Sequence, residues 1–336
     1  MTLAANDKMA SDGTISPRWA LLFKLLVSVG LLVLVLRAVD LQAVGALLLG
    51  LPLWAGLAAV AGMLAVTLIS ALRWWLILRV LDTPLSLGHA TALMFTGSFF
   101  TQVLPTSIGG DAVRIWQVTR AGVSFGRAFS GVMLERISGF VALVLLVAGG
   151  VLWLGETLQP PALRLALLAA LPALLAALAL LCLLDRLPAG LDRLLRRLPL
   201  ASRLMGLLDL MAGDARKVLL NPSLSLTLLL LSGIVHGCSV LTMLALAQGF
   251  GLDLTWGEVF AVVPAIILIT FIPLSFAGWG LREGASVVML SFVGVGADHA
   301  LAISVLFGVA LLVAVLPGLL FWLKGGRRSL PAAPER

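Results

Sequence analysis

Two short stretches of this chain combine helix-breaking residues with an arginine: LPTSIGGDAVR at 104–114 and IPLSFAGWGLR at 272–282. Four residue types recur in both stretches at one offset of 168 positions. The recurring pairs are Pro105 and Pro273, Ser107 and Ser275, Gly110 and Gly278, and Arg114 and Arg282. Chance can produce such matches in a glycine-rich chain, so the repeat depends on whether the flanking sequence follows the same offset.

Arg114 and Arg282 are the strongest candidates for binding a ligand. A charged side chain at membrane depth is costly and normally faces a polar cavity or a partner. A guanidinium group can hold phosphate through two parallel hydrogen bonds, and Gly110 and Gly278 let the backbone approach an anion closely. These residues predict a site for an anionic headgroup. The alternatives are an interfacial, positive-inside role for Arg114 and a simple pair between Arg282 and Glu283.

Carboxylates accompany the arginines, and each has a structural alternative. Asp111 opens a helix, where an N-cap is the common role, but it could also pair with a substrate. Glu135 lies within an apolar segment beside Arg136, and adjacent helical residues do not face each other, so each needs another partner. Ser107 and Ser275 either donate to a ligand or satisfy backbone groups freed by the prolines. The candidate coupling or charge-partner residues are Asp111, Glu135 and Glu283.

Other polar residues have a mainly structural interpretation. Arg73 and Trp74 stand at the end of an apolar run, which is typical of side chains that anchor a span at the interface; contact with a lipid headgroup is the alternative for Arg73. His236 in an apolar run is more often a hydrogen-bonded packing residue than a proton relay. Cys182 and Cys238 are isolated, so neither a disulfide framework nor a metal site is expected.

The elements that carry these residues are membrane helices. The chain of 336 residues is 61% hydrophobic and only 12% charged. Several charge-free runs reach the roughly 20 residues that cross a bilayer as a helix, and the first predicted span covers 25–36. The short alternating segments of a barrel are absent. The composition therefore predicts an all-α polytopic integral membrane protein with about six to eight transmembrane helices.

The net charge of +7 reports topology rather than nucleic-acid binding, because the basic residues concentrate in loops and tails. By the positive-inside rule, both termini and the basic segment 186–220 lie in the cytoplasm. The segment 186–220 also reads as amphipathic, which predicts that it lies on the anionic cytoplasmic leaflet.

The flanks of the two stretches follow the same offset, which supports an internal repeat. Loop charges and the parity of the spans give the two halves opposite orientations, the inverted-repeat arrangement of transporters, with one or two re-entrant broken hairpins. Residues 259–297 form either the second hairpin or two full spans. The predicted divisions are an N-terminal tail at 1–17, a membrane domain at 18–325 with halves of about 52–154 and 220–323, and a C-terminal tail at 326–336.

No nucleotide-binding loop, zinc motif or nucleophile elbow is found in the sequence. We therefore expect no enzyme activity, no cofactor and no bound metal. Two alternatives stay open: a membrane-embedded enzyme acting on a lipid headgroup, and a scaffold that recruits a lipid-synthesis enzyme through segment 186–220. The oligomeric state does not follow from the sequence.

The chain resembles the flippase-like membrane domain of the lysylphosphatidylglycerol synthase/flippase family over about 18–325. The resemblance lies in LPTSIGGDAVRIW, in RWW at 73–75, in the pair Glu135 and Arg136, and in IPLSFAGWGLREGA. It implies a bacterial inner-membrane protein that moves a lipid between leaflets. Two-domain members carry a cytoplasmic synthase domain after the membrane domain, whereas this chain ends shortly after its last span. We therefore expect a different lipid, such as a polyprenyl-phosphate-linked or hopanoid-related one.

Overall fold

A computed structural model describes residue 26 and residues 41–83, 85–104, 109–158, 161–183, 199–272, 275 and 277–325. Within these ranges the chain is helical and has no strand. Both predicted tails, the first predicted span at 25–36 and the 186–198 part of the basic segment lie outside the described residues, apart from Leu26. The helices are α1 (Leu41–Gly50), α2 (Leu53–Val80), α3 (Leu87–Val103), α4 (Gly109–Arg120), α5 (Phe125–Leu154), α6 (Pro161–Leu183), α7 (Pro199–Leu219), α8 (Pro222–Gly249), α9 (Trp256–Thr270), α10 (Leu281–Ser291), α11 (Ala297–Val315) and α12 (Pro317–Gly325).

Five described helices are long and apolar enough to cross a membrane. They are α2, α5, α6, α8, and the continuous stretch Ala297–Lys324 made of α11 and α12. The predicted class, an all-α polytopic membrane protein, is thereby confirmed. Their long runs of Leu, Ala and Val are stable in the bilayer interior, where no water can bond the backbone. The chain therefore forms helices, because a helix pairs its backbone N–H and C=O groups internally.

Four shorter helices correspond to the two broken stretches. Helices α3 and α4 contain 17 and 12 residues, and α9 and α10 contain 15 and 11. Each is shorter than the roughly 20 residues of a full span. Helix α3 packs against α4, and α9 packs against α10. The segment 259–297, left open by the sequence, therefore contains two short helices in contact.

The order of elements is the same on both sides of α6 and α7. Helices α2 and α8 each contain 28 residues, and each is followed by two short helices and a long apolar stretch. The packing is reciprocal: α2 lies along α8, α9 lies against α5 of the other set, and α3 lies against α12. This similarity agrees with the repeat in the sequence, while the opposite orientation of the halves across the membrane stays a prediction.

The main core lies where the two sets of helices meet. It includes Met63 of α2, Val262 and Ile266 of α9, Met243 of α8 and Phe307 of α11. Dispersion contacts between such side chains hold the broken helices against the long ones, which positions the residues at the helix breaks.

Helix α7 covers most of the described part of segment 186–220, and it packs against the rest of the protein. Its buried residues Met205, Ala212 and Ala215 belong to a helix that contacts α5, α6 and α8. Arg216 donates to the carbonyl oxygen of Cys182 at 2.8 Å. The described part of the segment therefore packs apolar side chains against neighbouring helices. Its place on the cytoplasmic leaflet stays a prediction.

Helix α9 begins with a capping box. The Thr255 hydroxyl accepts a hydrogen bond from the Glu258 amide at 3.3 Å, and the Glu258 carboxylate accepts one from the Thr255 amide at 2.7 Å. Hydrogen bonds from the Thr255 side chain and backbone hold the pKa of Glu258 below its ordinary value of 4.5. A lowered carboxylate pKa stabilises the fold at neutral pH, and that contribution is lost as the pH falls below 4.5 through the lowered pKa.

Substituting Thr255→Ala is expected to lower the free energy of unfolding by about 1 kcal/mol near neutral pH. Part of that difference should disappear in acid, because protonated Glu258 no longer accepts strong hydrogen bonds from the cap. Thermal unfolding of both proteins near pH 7 and near pH 3 measures this. If the stability difference between wild type and Thr255→Ala is the same at both pH values, the charge of the Glu258 carboxylate does not contribute to the stability of the cap.

Candidate functional site: a buried arginine cavity

Arg114 and Arg282 line the same cavity, which has a volume of about 860 Å³. Arg114 lies in α4 and Arg282 in α10, so one arginine comes from each broken stretch. Both side chains are buried, with 3% and 5% of the residue exposed. A buried arginine keeps its charge, so each requires partners, and these partners define the site.

Arg114 is held by carboxylates from two helices. Its Nη2 lies 2.6 Å from Oδ1 of Asp111 and 3.4 Å from Oε2 of Glu135 on α5. Nη1 lies 3.3 Å from the sulfur of Met94 and 3.5 Å from the same Glu135 oxygen. The guanidinium also stands over the ring of Trp74 at 4.9 Å. Asp111, for which an N-cap was the common expectation, thus directs its carboxylate into ion pairs.

Two further arginines complete this group. Arg73 of α2 donates to Oε1 of Glu135 and, through Nη1, to the Ser232 hydroxyl at 2.7 Å. Arg136 places Nε 2.8 Å from Oδ2 of Asp111. Glu135 and Arg136 therefore have different partners, as their adjacency on one helix requires. The cluster of Arg73, Asp111, Arg114, Glu135 and Arg136 is called the Arg114 cluster below.

The interpretation of Arg73 and Trp74 as interfacial anchors is wrong. Arg73 is 5% exposed and lines the cavity, and Trp74 is fully buried. Position at the end of an apolar run suggested an anchor. The partner of Arg73 is 62 positions away in the sequence, so only the packing of α2 against α5 reveals the ion pair.

Arg282 is positioned by its neighbour Glu283. Oε1 of Glu283 accepts from Nη2 of Arg282 at 2.6 Å and from Nε at 3.1 Å. The Ser304 hydroxyl of α11 donates to the same oxygen at 3.3 Å. Glu283 is fully buried, and its second oxygen accepts from the Gly280 amide. Among the described residues no hydrogen bond engages Nη1 of Arg282, which leaves one corner of the guanidinium for the cavity.

A glycine-rich turn leads into the Arg282 helix. Gly278 and Gly280 have φ values of 83° and 82°, in the left-handed region that glycine adopts without steric cost. Gly278 lines the cavity, and the Arg282 guanidinium stands over the Trp279 ring at 4.5 Å. The turn thus brings backbone and arginine to the cavity wall together, while the approach of this backbone to an anion stays a prediction.

Gly110 has a different role from the predicted approach to a ligand. A Cβ atom at this position would overlap the carbonyl oxygen of Gly97 in α3 and the hydroxyl of Thr101. The glycine therefore allows α3 and α4 to cross closely. Gly97 in turn makes room for the side chain of Arg114, and Gly308 of α11 does the same for Arg282.

Ser275 and His236 are the remaining described candidates. Ser275 is 4% exposed, and its hydroxyl has no hydrogen-bond partner among the residues that the structure describes. Ser107 lies outside the described residues. His236 lines the cavity, and its Nε2 lies 3.0 Å from the carbonyl oxygen of Gly139, which agrees with a hydrogen-bonded packing role.

Away from the charged residues the cavity wall is mostly apolar. Long helices and the broken helix α9 supply these side chains, which include Met63, Val66, Ile266, Phe307 and Leu311. Such a cavity suits an amphiphile, with an anionic group at the arginines and hydrocarbon along the wall. No group of three or more His, Cys, Asp or Glu that could hold a metal ion occurs among the described residues.

The fold and the site together define a multi-pass helical membrane protein with an arginine-rich cavity between two similar sets of broken and long helices. A protein-family model described as the lysylphosphatidylglycerol synthase TM region matches residues 21–318. The chain belongs to this family, which confirms the resemblance seen in its motifs. No curated protein matched the chain.

Proposed function

We propose that this protein moves an anionic lipid between the leaflets of the bacterial inner membrane, with both termini in the cytoplasm. Family membership supports a membrane protein of lipid flipping or of lipid and envelope biosynthesis. The observation that carries the finer proposal is the meeting of Arg114 and Arg282, one from each broken stretch, at one mostly apolar cavity. A headgroup bound there is balanced by arginine while its tails stay in an apolar environment.

The broken helices explain how this site can exist at membrane depth. An intact span offers only side chains to a ligand, whereas a helix break exposes backbone groups where they line a cavity. Gly278, at positive φ in the turn before the Arg282 helix, lies on the cavity wall and supports this arrangement. With no nucleotide-binding motif in the sequence, we propose that transport is downhill or ion-coupled.

The pairing of the cavity carboxylates with arginines favours a binding site over a catalytic site. Asp111, Glu135 and Glu283 each accept from an arginine. A general acid or base must be free to contact a substrate, whereas an arginine already engages each of these carboxylates. We therefore propose that the protein is a transporter rather than an enzyme, and that its partner is a lipid-synthesis enzyme that supplies its substrate.

Substituting both Arg114→Lys and Arg282→Lys is expected to reduce lipid translocation by at least about tenfold. Lysine keeps the positive charge but lacks the planar fork that holds phosphate through two hydrogen bonds. Glutamine would be a poorer test, because losing the Arg114 charge leaves Asp111 and Glu135 underpaired in a buried site. The measurement is leaflet exchange of labelled anionic lipids in proteoliposomes containing the purified protein.

The matched control is Arg120→Lys, on the same helix as Arg114 but outside the cavity, where the arginine is exposed and stacks on Trp116. This variant should translocate at the wild-type rate. Folding of each variant is checked by thermal unfolding before reconstitution. Wild-type rates in a folded double lysine variant would refute the proposed role of the two arginines.

A further inference from the structure

A carboxylate oxygen occupies the fork of Arg114. Oε2 of Glu135 lies 3.5 Å from Nη1 and 3.4 Å from Nη2 of that arginine. Charge-assisted bonds of this kind are normally about 2.7–2.9 Å long, so the contact is loose. Asp111, by comparison, holds Nη2 at 2.6 Å. Glu135 is the weakly held partner of Arg114 in the cluster.

When arginine binds phosphate through both of its terminal nitrogens, a phosphate oxygen lies at the position that Oε2 of Glu135 occupies here. Arg114 and Glu135 both line the cavity. An incoming oxygen can replace Oε2 of Glu135 while Oε1 keeps its bond from Arg73 and while Asp111 keeps its bond from Arg114. The exchange therefore needs no rupture of the short ion pairs.

The Arg114 cluster carries one unbalanced positive charge. It contains three arginines, Arg73, Arg114 and Arg136, and two carboxylates, Asp111 and Glu135. Arg282 is balanced separately by Glu283. The other described side chains that hydrogen-bond to the cluster or stack on it are uncharged: Met94, Trp74 and Ser232. His236, on the same cavity wall, bonds the backbone carbonyl of Gly139, and a neutral imidazole adds no charge to the cluster.

A buried site that binds a ligand is most stable when the bound charges cancel, because unpaired buried charge is costly. A headgroup with a single negative charge balances the cluster. A phosphomonoester with two charges leaves an excess negative charge. A zwitterionic headgroup brings its own cation and leaves the cluster positive.

On the basis of the proposed lipid-binding function, we infer that the Arg114 cluster selects a lipid with a singly charged phosphodiester headgroup, one oxygen of which replaces Oε2 of Glu135 in the fork of Arg114. Glu135 is then a specificity-determining residue, since it sets both the charge of the cluster and the occupancy of the fork. Arg136, which pairs with Asp111, contributes a positive charge to the same cluster.

The test is competition binding to the purified full chain in detergent at about pH 8, where a phosphomonoester is dianionic. Fluorescent phosphatidylglycerol is displaced by unlabelled phosphatidylglycerol, phosphatidic acid or phosphatidylcholine. For the wild type, unlabelled phosphatidylglycerol should displace the probe at a concentration about tenfold lower than either of the other lipids requires. A tenfold ratio of dissociation constants corresponds to about 1.4 kcal/mol of binding free energy.

Two substitutions shift the cluster charge in opposite directions. Glu135→Gln adds one positive charge and should move the preference about tenfold toward phosphatidic acid. Arg136→Gln removes one and should abolish the preference for phosphatidylglycerol over phosphatidylcholine. The Arg136 side chain is 37% exposed, so this variant should fold even if Glu135→Gln does not. Arg120→Gln makes the same charge change outside the cavity and should leave the ranking unchanged.

The ranking of headgroups decides the inference separately from transport. A wild type that prefers phosphatidic acid or phosphatidylcholine overturns the inference, and so does a ranking that Arg136→Gln leaves unchanged. If translocation depends on Arg114 and Arg282 but the headgroup preference is the same in the variants that change the cluster charge, the inference is wrong while the proposed function still stands. Binding that follows the cluster charge without any translocation keeps the inference and removes the proposed transport.

Discussion

Substituting Arg73→Met is expected to lower the free energy of unfolding by about 3–5 kcal/mol, the usual cost of removing one partner from a buried ion pair. Arg73 donates to Oε1 of Glu135 from across a helix interface, and both side chains are about 6% exposed. Without it, the partner left to the Glu135 carboxylate among the described residues is Arg114, in a loose contact at 3.4 Å. The Ser232 hydroxyl also loses its donor. Chemical or thermal unfolding of the purified protein in detergent measures the loss.

Arg79→Met is the matched control for this prediction, since Arg79 lies on the same helix, is exposed and stacks on the Trp75 ring at 4.8 Å. An exposed cation–π contact contributes only about 0.5–1 kcal/mol. Adding Glu135→Gln to Arg73→Met should restore part of the lost stability, because the unpaired charge is then removed. Equal, small effects of Arg73→Met and Arg79→Met would show that the buried pair does not stabilise the fold.

Substituting Gly110→Ala is expected to destabilise the protein by about 3 kcal/mol, at the upper end of the cost of overpacking. The added Cβ would overlap the backbone carbonyl of Gly97, which cannot rotate away as a flexible side chain can. Helices α3 and α4 must then separate, and Arg114, which packs on Gly97, must shift with them. Lipid translocation should fall together with stability. Unfolding curves and the leaflet-exchange assay measure the two effects.

The control for this substitution is Gly237→Ala in α8, because a Cβ at Gly237 meets no atom within 4 Å. Alanine is favoured over glycine within a helix by about 1 kcal/mol, so this variant should be as stable as the wild type or more so. If Gly110→Ala behaved like Gly237→Ala, the close crossing of α3 and α4 would not be required by the fold.

The sequence alone was sufficient to predict the class of the protein and to single out two of the arginines that line the cavity. Its apolar runs predicted an all-α membrane protein, because backbone groups in a bilayer must be paired within a helix. The repeated break motif drew attention to Arg114 and Arg282, and the structure places both on one cavity. The sequence also marked Asp111, Glu135 and Glu283 as candidate charge partners, although an N-cap was the common expectation for Asp111.

Which partners these charges have was decided only by the tertiary structure. The pair of Arg73 and Glu135 joins residues 62 positions apart, and the contact of Arg282 with Ser304 spans 22. Neither has a local pattern, since the spacing of an ion pair between helices depends on how those helices pack. Arg73 therefore looked like an interfacial anchor until the packing of α2 against α5 placed it beside Glu135.

The glycines show the same division. Both Gly110 and Gly278 were recognisable as breaks in an apolar chain, because glycine is disfavoured within helices and permits unusual backbone angles. The sequence did not distinguish their roles: Gly278 lies at positive φ on the cavity wall, whereas Gly110 lies where two helices cross. Local sequence thus determined the helices, their breaks and the presence of buried charge, whereas the pairing of those charges and the cavity depended on close packing between segments far apart in the chain, which no local pattern encodes.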